Sequence, residues 1–237
     1  MTSDLTLLID LDDTLIQSGH TYNIPQLNCA KIISMEFQND APPPEEMIIE
    51  ANKIRKSIMS NHLEKESPSA IWFEQSWLIY HKNLCEKLGR PVNNVIQGAL
   101  FEAAKMWFLE NYSLFDGVED TLKSVPLPKI LVTLGHPDIQ NYKINNVKIE
   151  KYFQHIEIVR QKTTNVFKSI IQKYNLKSTI MIGDNLELDI KPAIEAGVGR
   201  VFHVLGALGQ PALTEWGEYI SFNYTPIKNF NEIRNYL

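Results

Sequence analysis

Cysteine is scarce in this sequence, and its scarcity argues against two classes of protein. Only two of the 237 residues are cysteines, Cys29 and Cys85. Their number and spacing fit neither a disulfide-bonded secreted scaffold nor a zinc site. We therefore expect unpaired thiols and a cytoplasmic location, where thiols stay reduced.

Long apolar runs and an excess of basic residues are missing as well. No stretch approaches the roughly 20 apolar residues that a membrane-spanning helix needs, and the start of the chain lacks the basic and apolar regions of a signal peptide. The chain has 23 basic and 28 acidic residues, a formal net charge of −5, whereas nucleic-acid-binding surfaces are usually basic. We expect a soluble protein with no membrane partner and no nucleic-acid partner.

A buried-strand pattern followed by carboxylates stands near the start of the chain. Leu5 to Ile9 are apolar or β-favouring, and Asp10, Asp12, Asp13 and Thr14 follow. Three carboxylates in four positions repel one another, and a divalent cation is the usual compensation. An all-oxygen carboxylate site favours Mg²⁺. The alternative for an isolated Asp-x-Asp is a solvated acidic turn.

Strand and helix patterns alternate from residue 118 onward. They predict strands at Lys129–Leu134, His155–Val159, Thr179–Ile182 and Arg200–Val204, and helices at Val118–Ser124, Asp138–Val147, Thr164–Tyr174 and Glu187–Ala196. This alternation predicts an α/β fold with a Rossmann-like parallel sheet and helices on both faces.

Between the first strand and this alternation, the sequence predicts an all-helical insertion. Helical patterns cover residues 45–62, run from Ser67-Pro68 to Leu88, and continue from a cap at Asn93 or Asn94 to about Glu110. The stretch 17–44 is mixed and polar and predicts loops, marked by Pro25. The predicted domains are therefore an α/β catalytic core, residues 1–16 and 113–237, and a helical cap domain, residues 17–112.

Four aromatic residues of the insertion could stack against a base, or could simply pack in a helix core. They are Trp72, Phe73, Trp77 and Tyr80. Their spacing of three and four residues is typical of the buried face of a helix and favours core packing.

Polar residues follow the other predicted strands at their carboxyl ends. Thr133 lies at the end of the second strand, Lys162 just past the third, and Gly183-Asp184 at the end of the fourth, with Asp189 five residues later. Parallel strands open on one crevice at this edge of the sheet, so these side chains should meet. Two carboxylates, a hydroxyl, an ammonium and a metal site are what phosphoryl transfer through an aspartyl-phosphate requires.

These motifs give the chain a family resemblance. Asp10-Leu11-Asp12-Asp13-Thr14, Thr133, Lys162 and Gly183-Asp184-x4-Asp189 resemble the four motifs of the haloacid dehalogenase (HAD) superfamily, in its phosphatase branch with an inserted helical cap. Leu114–Val118, Gln140-x-x-Lys143 and Ala193-x-x-Ala196-Gly197 match as well. Within the branch, the chain is similar to phosphoglycolate-phosphatase-like and nucleotidase-like members.

The resemblance implies a role for each motif residue. Asp10 is expected to attack phosphorus and Asp12 to act as general acid and base, with Mg²⁺ held by Asp10, Asp184 and the backbone carbonyl of Asp12. Thr133 and Lys162 are expected to be catalytic and to hold the phosphate, Leu134 and Gly135 to bind substrate, and Thr14, Gly183 and Asp189 to support the site. Dehalogenases of the superfamily lack the second aspartate and need no metal, so Asp12 favours phosphate chemistry.

The sequence departs from the family pattern at two positions. Thr163 replaces the proline that usually follows the third-motif lysine, which leaves Lys168 as a competitor of Lys162. Leu134 replaces the asparagine or glycine that often follows the second-motif hydroxyl.

The predicted function is that of a Mg²⁺-dependent phosphomonoester hydrolase. It would act on a small phosphorylated metabolite, through a phosphoaspartate, as a monomer or homodimer. Two alternatives stay open: a phosphomutase that uses the same phosphoaspartate, and a non-catalytic binding or regulatory protein that retains the site.

Overall fold

The structure is a computed structural model that describes residues 4–18, 23–63, 72–106, 112–205 and 223–237. The strands are β1 (Leu5–Ile9), β2 (Lys129–Leu134), β3 (His155–Val159), β4 (Ser178–Gly183), β5 (Arg200–Val204) and β6 (Thr225–Ile227). The α-helices are α1 (Asn23–Phe37), α2 (Pro44–Leu63), α3 (Trp72–Lys87), α4 (Asn94–Lys105), α5 (Val118–Ser124), α6 (Pro137–Val147), α7 (Thr164–Lys173) and α8 (Lys191–Glu195). A π-helical turn, Leu186–Ile190, precedes α8, and 3₁₀ turns occur at Gln38–Asp40, Glu150–Tyr152 and Phe230–Asn235.

The six strands of the described residues form one parallel sheet in the order β3-β2-β1-β4-β5-β6. β1 lies in the middle, between β2 and β4, so its carboxyl end is flanked by the ends of both. The predicted α/β, Rossmann-like fold class is confirmed. β6 was not predicted, because it has three residues and contains Pro226, which fits only an edge strand.

Alternate residues of β1 pack on opposite faces of the sheet. Leu7 and Ile9 belong to a core cluster that contains Leu122 of α5. Leu8 belongs to a second cluster with Phe167 of α7. Both faces are therefore covered by helices, which explains why the central strands are apolar throughout.

The chain divides into two compact units, residues 1–19 with 112–237 and residues 20–111. Within the first unit, the chain segments that flank the second are paired: Ile16 forms an antiparallel bridge with Leu114, and Phe115 N–H donates to Leu15 O at 3.0 Å. An insertion between paired segments leaves the sheet of the first unit uninterrupted.

The second unit contains a helix where loops were predicted. α1 occupies Asn23–Phe37 and buries Cys29 and Ile33. Pro25 marked this stretch as a loop, but it lies in the first helical turn, where proline removes no helical hydrogen bond. The loop prediction for these residues is therefore wrong, whereas the predicted helices of the insertion are present over α2, α3 and α4. Their predicted extensions over 67–71 and 107–110 lie outside the described residues.

The aromatic residues of α3 pack in a helix core. Phe73, Trp77 and Tyr80 are buried, and Trp77 packs edge-on against Tyr80 with ring centroids 6.0 Å apart. The core-packing interpretation is confirmed for these three residues, while Trp72 is partly exposed.

Both cysteines are free thiols, as predicted, and both are buried. Burial raises the pKa of Cys29 to about 12, so this thiol stays protonated. Across the described parts of the chain, none of the helices is both long and apolar enough to cross a membrane.

Candidate active site

A tight loop at the end of β1 places the first two carboxylates. The N–H groups of Leu15 and Ile16 both donate to Leu11 O, and Asp13 takes a left-handed backbone conformation with φ of 53°. Aspartate is among the few non-glycine residues that adopt this conformation readily. The turn leaves Asp10 and Asp12 at the end of the central strand.

Asp10 is buried against a lysine from the loop after β3. The Lys162 ammonium hydrogen-bonds the carboxylate of Asp10, and it donates to Asp189 Oδ1 at 2.5 Å. Burial alone would lower the pKa of Lys162, but the two carboxylates raise it. Lys162 therefore remains a cation held between two acids. Lys168, the competing lysine, is exposed on α7.

The end of β4 contributes the other two carboxylates. Asn185 Oδ1 accepts from the N–H groups of Glu187 and Leu188, each at 3.0 Å, and so begins the π-helical turn. This turn returns Asp189 to the site, where Asp189 Oδ2 accepts from Asn185 N–H at 3.1 Å. Thr14 Oγ1 lies 3.4 Å from Asp184 Oδ1, which joins the β1 loop to the same cluster.

Only glycine fits at position 183, because the Asp189 side chain packs against its Cα. A Cβ atom on Gly183 would lie 2.5 Å from Asp189 Cγ. We expect Gly183→Ala to destabilise the protein by about 1–3 kcal/mol, because Asp189 would be displaced. The matched control is Gly98→Ala in α4, where a Cβ meets nothing within 4 Å and alanine should stabilise the helix by about 0.5–1 kcal/mol. Urea unfolding of both variants measures this difference, and equal effects would contradict the role assigned to Gly183.

Three carboxylates of this cluster could hold one metal ion. Ligand oxygens of Asp10, Asp184 and Asp189 all lie within 4.8 Å of one another. Burial, followed by the charge of Asp189, raises the pKa of Asp10 to about 7. Burial, followed by the charge of Asp10, raises the pKa of Asp184 to about 9. Carboxylates that resist ionisation together fit a site completed by a hard divalent cation such as Mg²⁺.

These raised pKa values predict how the stabilisation by a divalent cation at this cluster would depend on pH. A carboxyl whose pKa is above its unfolded value of 3.8 contributes stability at low pH, and this contribution is lost as the pH rises through the folded pKa. Without metal, ionisation of Asp10 and Asp184 therefore lowers the stability of the fold progressively as the pH rises from about 4 to about 9. A divalent cation held by this cluster would bind the ionised carboxylates, so added Mg²⁺ is expected to raise the Tm more at pH 8.5 than at pH 5.5. Thermal unfolding at constant ionic strength tests this, and an equal shift at both pH values would contradict it.

Asp12 has its hydrogen-bond partners on α6. Lys143 Nζ donates to Asp12 Oδ1 at 2.7 Å, and Gln140 Nε2 donates to Asp12 Oδ2 at 2.9 Å. The same Gln140 nitrogen hydrogen-bonds Thr133 Oγ1 at the end of β2. Asp10 and Asp12 thus have different partners, although one residue separates them.

A comparison with protein-family profiles identifies the family of the chain. The profile of the haloacid dehalogenase-like hydrolases matches residues 5–197. The chain belongs to this family. No curated protein matches the chain.

Solved structures of HAD-like hydrolases share the fold at low sequence identity. A haloacid dehalogenase-like hydrolase from Xanthomonas campestris is 16% identical with a TM-score of 0.72, over 98% of this chain and 95% of that one. Magnesium-bound YfnB of Bacillus subtilis, described as a HAD-hydrolase, is 17% identical with a TM-score of 0.63, over 98% and 97%. The 2-haloacid dehalogenase of Pseudomonas syringae is 15% identical with a TM-score of 0.60, over 99% and 97%. The neighbours thus include a dehalogenase, and the likeness establishes the fold alone.

The two departures from the HAD motifs lie at the ends of regular elements. Thr163, in place of proline, is the N-cap of α7 and its side chain accepts from Val166 N–H; threonine is a favoured residue there. Leu134 is the last residue of β2 and is partly exposed. The Gly135 N–H donates to Val159 O at 3.0 Å, so this amide is already engaged within the sheet.

Three residues around the HAD motifs have contacts that the sequence did not reveal. Gln140 and Lys143 match the family pattern, but the sequence predicts no partner for either. His203 of β5 is buried, and its Nε2 lies 2.8 Å from the backbone carbonyl of Asp184. Burial lowers the pKa of His203, which favours a neutral ring that donates from Nε2 and holds the Asp184 backbone.

Proposed function

We propose that this HAD-like hydrolase is a Mg²⁺-dependent phosphomonoester hydrolase that acts on small phosphorylated metabolites through a phosphoaspartate on Asp10. The observation that carries the proposal is that the two carboxylates following β1, Asp10 and Asp12, have different partners. Asp10 lies with Lys162 in the carboxylate cluster, while Asp12 is held by α6. Two neighbouring carboxylates with different partners can perform different tasks.

Asp10 is the nucleophile of the proposed reaction. One of its carboxylate oxygens attacks phosphorus and the bond to the ester oxygen breaks, so the phosphoryl group is transferred to Asp10. Lys162 already touches Asp10, so a phosphoryl group on Asp10 would lie beside this ammonium. Thr133 lies at the end of the neighbouring strand, and its buried hydroxyl is a second candidate for a phosphate oxygen.

Asp12 supplies the proton transfers. It protonates the ester oxygen as the bond to phosphorus breaks, and the alcohol leaves. Asp12 then removes a proton from the water that attacks the phosphoaspartate, which releases inorganic phosphate and restores Asp10. The Asp12 side chain is 27% exposed, so an ester oxygen and a water molecule could reach it.

Asp10, Asp184 and Asp189 are the residues proposed to hold Mg²⁺, as their oxygens fit one cation. When bound, Mg²⁺ would neutralise charge on the phosphoryl oxygens and favour the ionised form of Asp10. The magnesium bound to the structurally similar YfnB supports this choice of metal. The backbone carbonyl of Asp12 remains a further proposed ligand.

Asp12 also favours phosphate chemistry over the dehalogenation performed by some structural neighbours. A halide leaves carbon as a stable anion and needs no proton, whereas most alkoxides need one. A carboxylate held by two donors beside the nucleophile therefore has a task in ester cleavage and none in halide departure.

The test is product release from two substrate panels. Purified protein with Mg²⁺ is incubated with phosphorylated sugars, nucleotides and small acids, and inorganic phosphate is measured; halide release from 2-haloacids is measured in parallel. We expect phosphate release that stops on chelation of the metal and no halide release. Halide release without phosphate release would overturn the proposal, and isomerisation of a phosphosugar without net phosphate would identify a phosphomutase instead. Silence in every assay would favour a binding or regulatory role.

A further inference from the structure

Both oxygens of the Asp12 carboxylate are held by one helix. Lys143 Nζ donates to Oδ1 at 2.7 Å and Gln140 Nε2 to Oδ2 at 2.9 Å. The two donors lie three residues apart on α6 and therefore face the same side. A carboxylate bound at both oxygens cannot rotate freely about its Cβ–Cγ bond.

The two donors are themselves fixed in place. Gln140 is 1% exposed and Lys143 is 7% exposed. Gly135 makes room for Gln140, since a Cβ atom at position 135 would lie 2.9 Å from Gln140 Cγ. The Lys143 ammonium lies 5.3 Å from the centroid of the Tyr112 ring, which favours a cation there.

Gln140 also determines what the Thr133 hydroxyl can do. The two protons of the Gln140 amide point to Asp12 and to Thr133 Oγ1. Because Thr133 Oγ1 accepts from Gln140, its own proton is directed elsewhere and can be donated to a phosphate oxygen. One side chain thus orients both the proton-transfer carboxylate and a phosphate donor.

We propose that Lys143 and Gln140 are positioning residues for the hydrolysis reaction, Lys143 through Asp12 alone and Gln140 through both Asp12 and Thr133. This inference rests on the proposed function, because it assigns an orientation to the acid and base of that reaction. The two residues of α6 then have different effects: Lys143 affects only the proton transfers of Asp12, whereas Gln140 also affects phosphate binding by Thr133.

This difference predicts different kinetics for two variants. Lys143→Met should lower kcat about 100-fold with KM nearly unchanged, since a misplacement of about 1 Å in a reacting group has that effect. Gln140→Leu should lower kcat and also raise KM, because Thr133 loses its orientation. The loss of kcat/KM in Lys143→Met, which reports transfer of the phosphoryl group to Asp10, should be larger for an alkyl phosphate than for p-nitrophenyl phosphate, whose leaving group needs little proton donation.

A double-mutant cycle with Asp12→Asn tests whether Lys143 acts through Asp12. In the Asp12→Asn background, Lys143→Met should cause almost no further loss of kcat. Lys143→Arg, which keeps the cation and N–H donors, should recover most of the activity. The control is Lys173→Met, which removes another 2.7 Å lysine–carboxylate pair, with Glu157, on the exposed surface and should leave kcat unchanged.

The outcomes separate this inference from the proposed function. An inactive wild-type protein would overturn the proposed function and the positioning roles with it. An active wild-type protein in which Asp12→Asn is impaired but Lys143→Met is not would overturn the inference and leave the function standing. Equal losses from Lys143→Met with and without Asp12 would show that Lys143 acts independently of Asp12. The same double-mutant cycle can be measured by Tm, which requires no catalytic activity. Additive Tm shifts would mean that Lys143 and Asp12 are not coupled and would contradict the inference.

Discussion

Asp10→Asn should abolish phosphate release from every ester that the wild-type protein hydrolyses, with kcat lower by about 10⁴-fold or more. An amide oxygen is a poor nucleophile toward phosphorus, and the variant also loses one of the three carboxylates proposed to hold the metal. The measurement is phosphate release at saturating substrate and Mg²⁺. Retention of more than a few per cent of the activity would exclude Asp10 as the nucleophile.

The loss of activity in Asp10→Asn should not come with a loss of stability. Burial raises the pKa of Asp10 to about 7, so the charged form of this group is disfavoured in the metal-free fold. A neutral amide of the same shape removes that penalty, and Lys162 keeps Asp189 as a partner. We expect the Tm of the metal-free variant at pH 8 to equal or exceed that of the wild type.

Asp138→Asn is the matched control for Asp10→Asn. Asp138 lies in the first turn of α6, and its side chain is 90% exposed. Its substitution changes the same chemical group outside the carboxylate cluster and should leave kcat intact. A similar loss of activity in both variants would mean that the effect at Asp10 is not specific to the site.

The sheet could be predicted from the sequence because its strands are short apolar runs buried on both faces. β1, β2, β3 and β5 lie within the predicted bounds, and β4 is one residue longer at each end. The convergence of strand ends then follows from parallel topology, which explains why Asp10, Lys162 and Asp184 could be placed at one edge.

α1 shows why the apolar pattern did not predict every helix of the insertion. Its buried residues include Pro25, Cys29, Ile33 and Phe37, a spacing of four that is helical. Proline is common in loops, and the residues around Pro25 are mixed in polarity, so the sequence alone favours a loop here. Position within the first turn, rather than residue type, decides whether proline interrupts a helix.

The hydrogen-bond partners of the site side chains could not be predicted from the sequence, for a different reason. Asp12 and Lys143 are 131 residues apart, and their contact depends on where α6 packs relative to the β1 loop. Gln140 and Lys143 lie three residues apart and so share one face of α6, but a helix face has several possible neighbours. The structure supplies the missing information, the rotation and position of α6.

Asp12→Asn should separate the two halves of the proposed reaction. With p-nitrophenyl phosphate, whose leaving group needs little proton donation, phosphorylation of Asp10 can still proceed, but the water that cleaves the phosphoaspartate has lost its base. We expect a burst of nitrophenolate equivalent to the enzyme present, followed by turnover about 10²–10⁴-fold slower than in the wild type. Stopped-flow absorbance measures the burst, and acid quenching with peptide mass spectrometry should locate the phosphoryl group on Asp10.

The neighbouring Asp13→Asn variant is the control that makes this result specific. Asp13 has a φ of 53° and accepts from Ser18 N–H at 3.0 Å, and asparagine tolerates this backbone conformation and keeps an acceptor oxygen. It should show no burst and a much smaller loss of turnover.

A burst in Asp12→Asn alone would mean that one carboxylate receives the phosphoryl group and the other removes it. Because Asp10→Asn should show neither burst nor turnover, the two variants together distinguish nucleophile from acid and base. Undiminished turnover in Asp12→Asn would contradict that assignment and return the choice to chemistry in which the leaving group needs no proton.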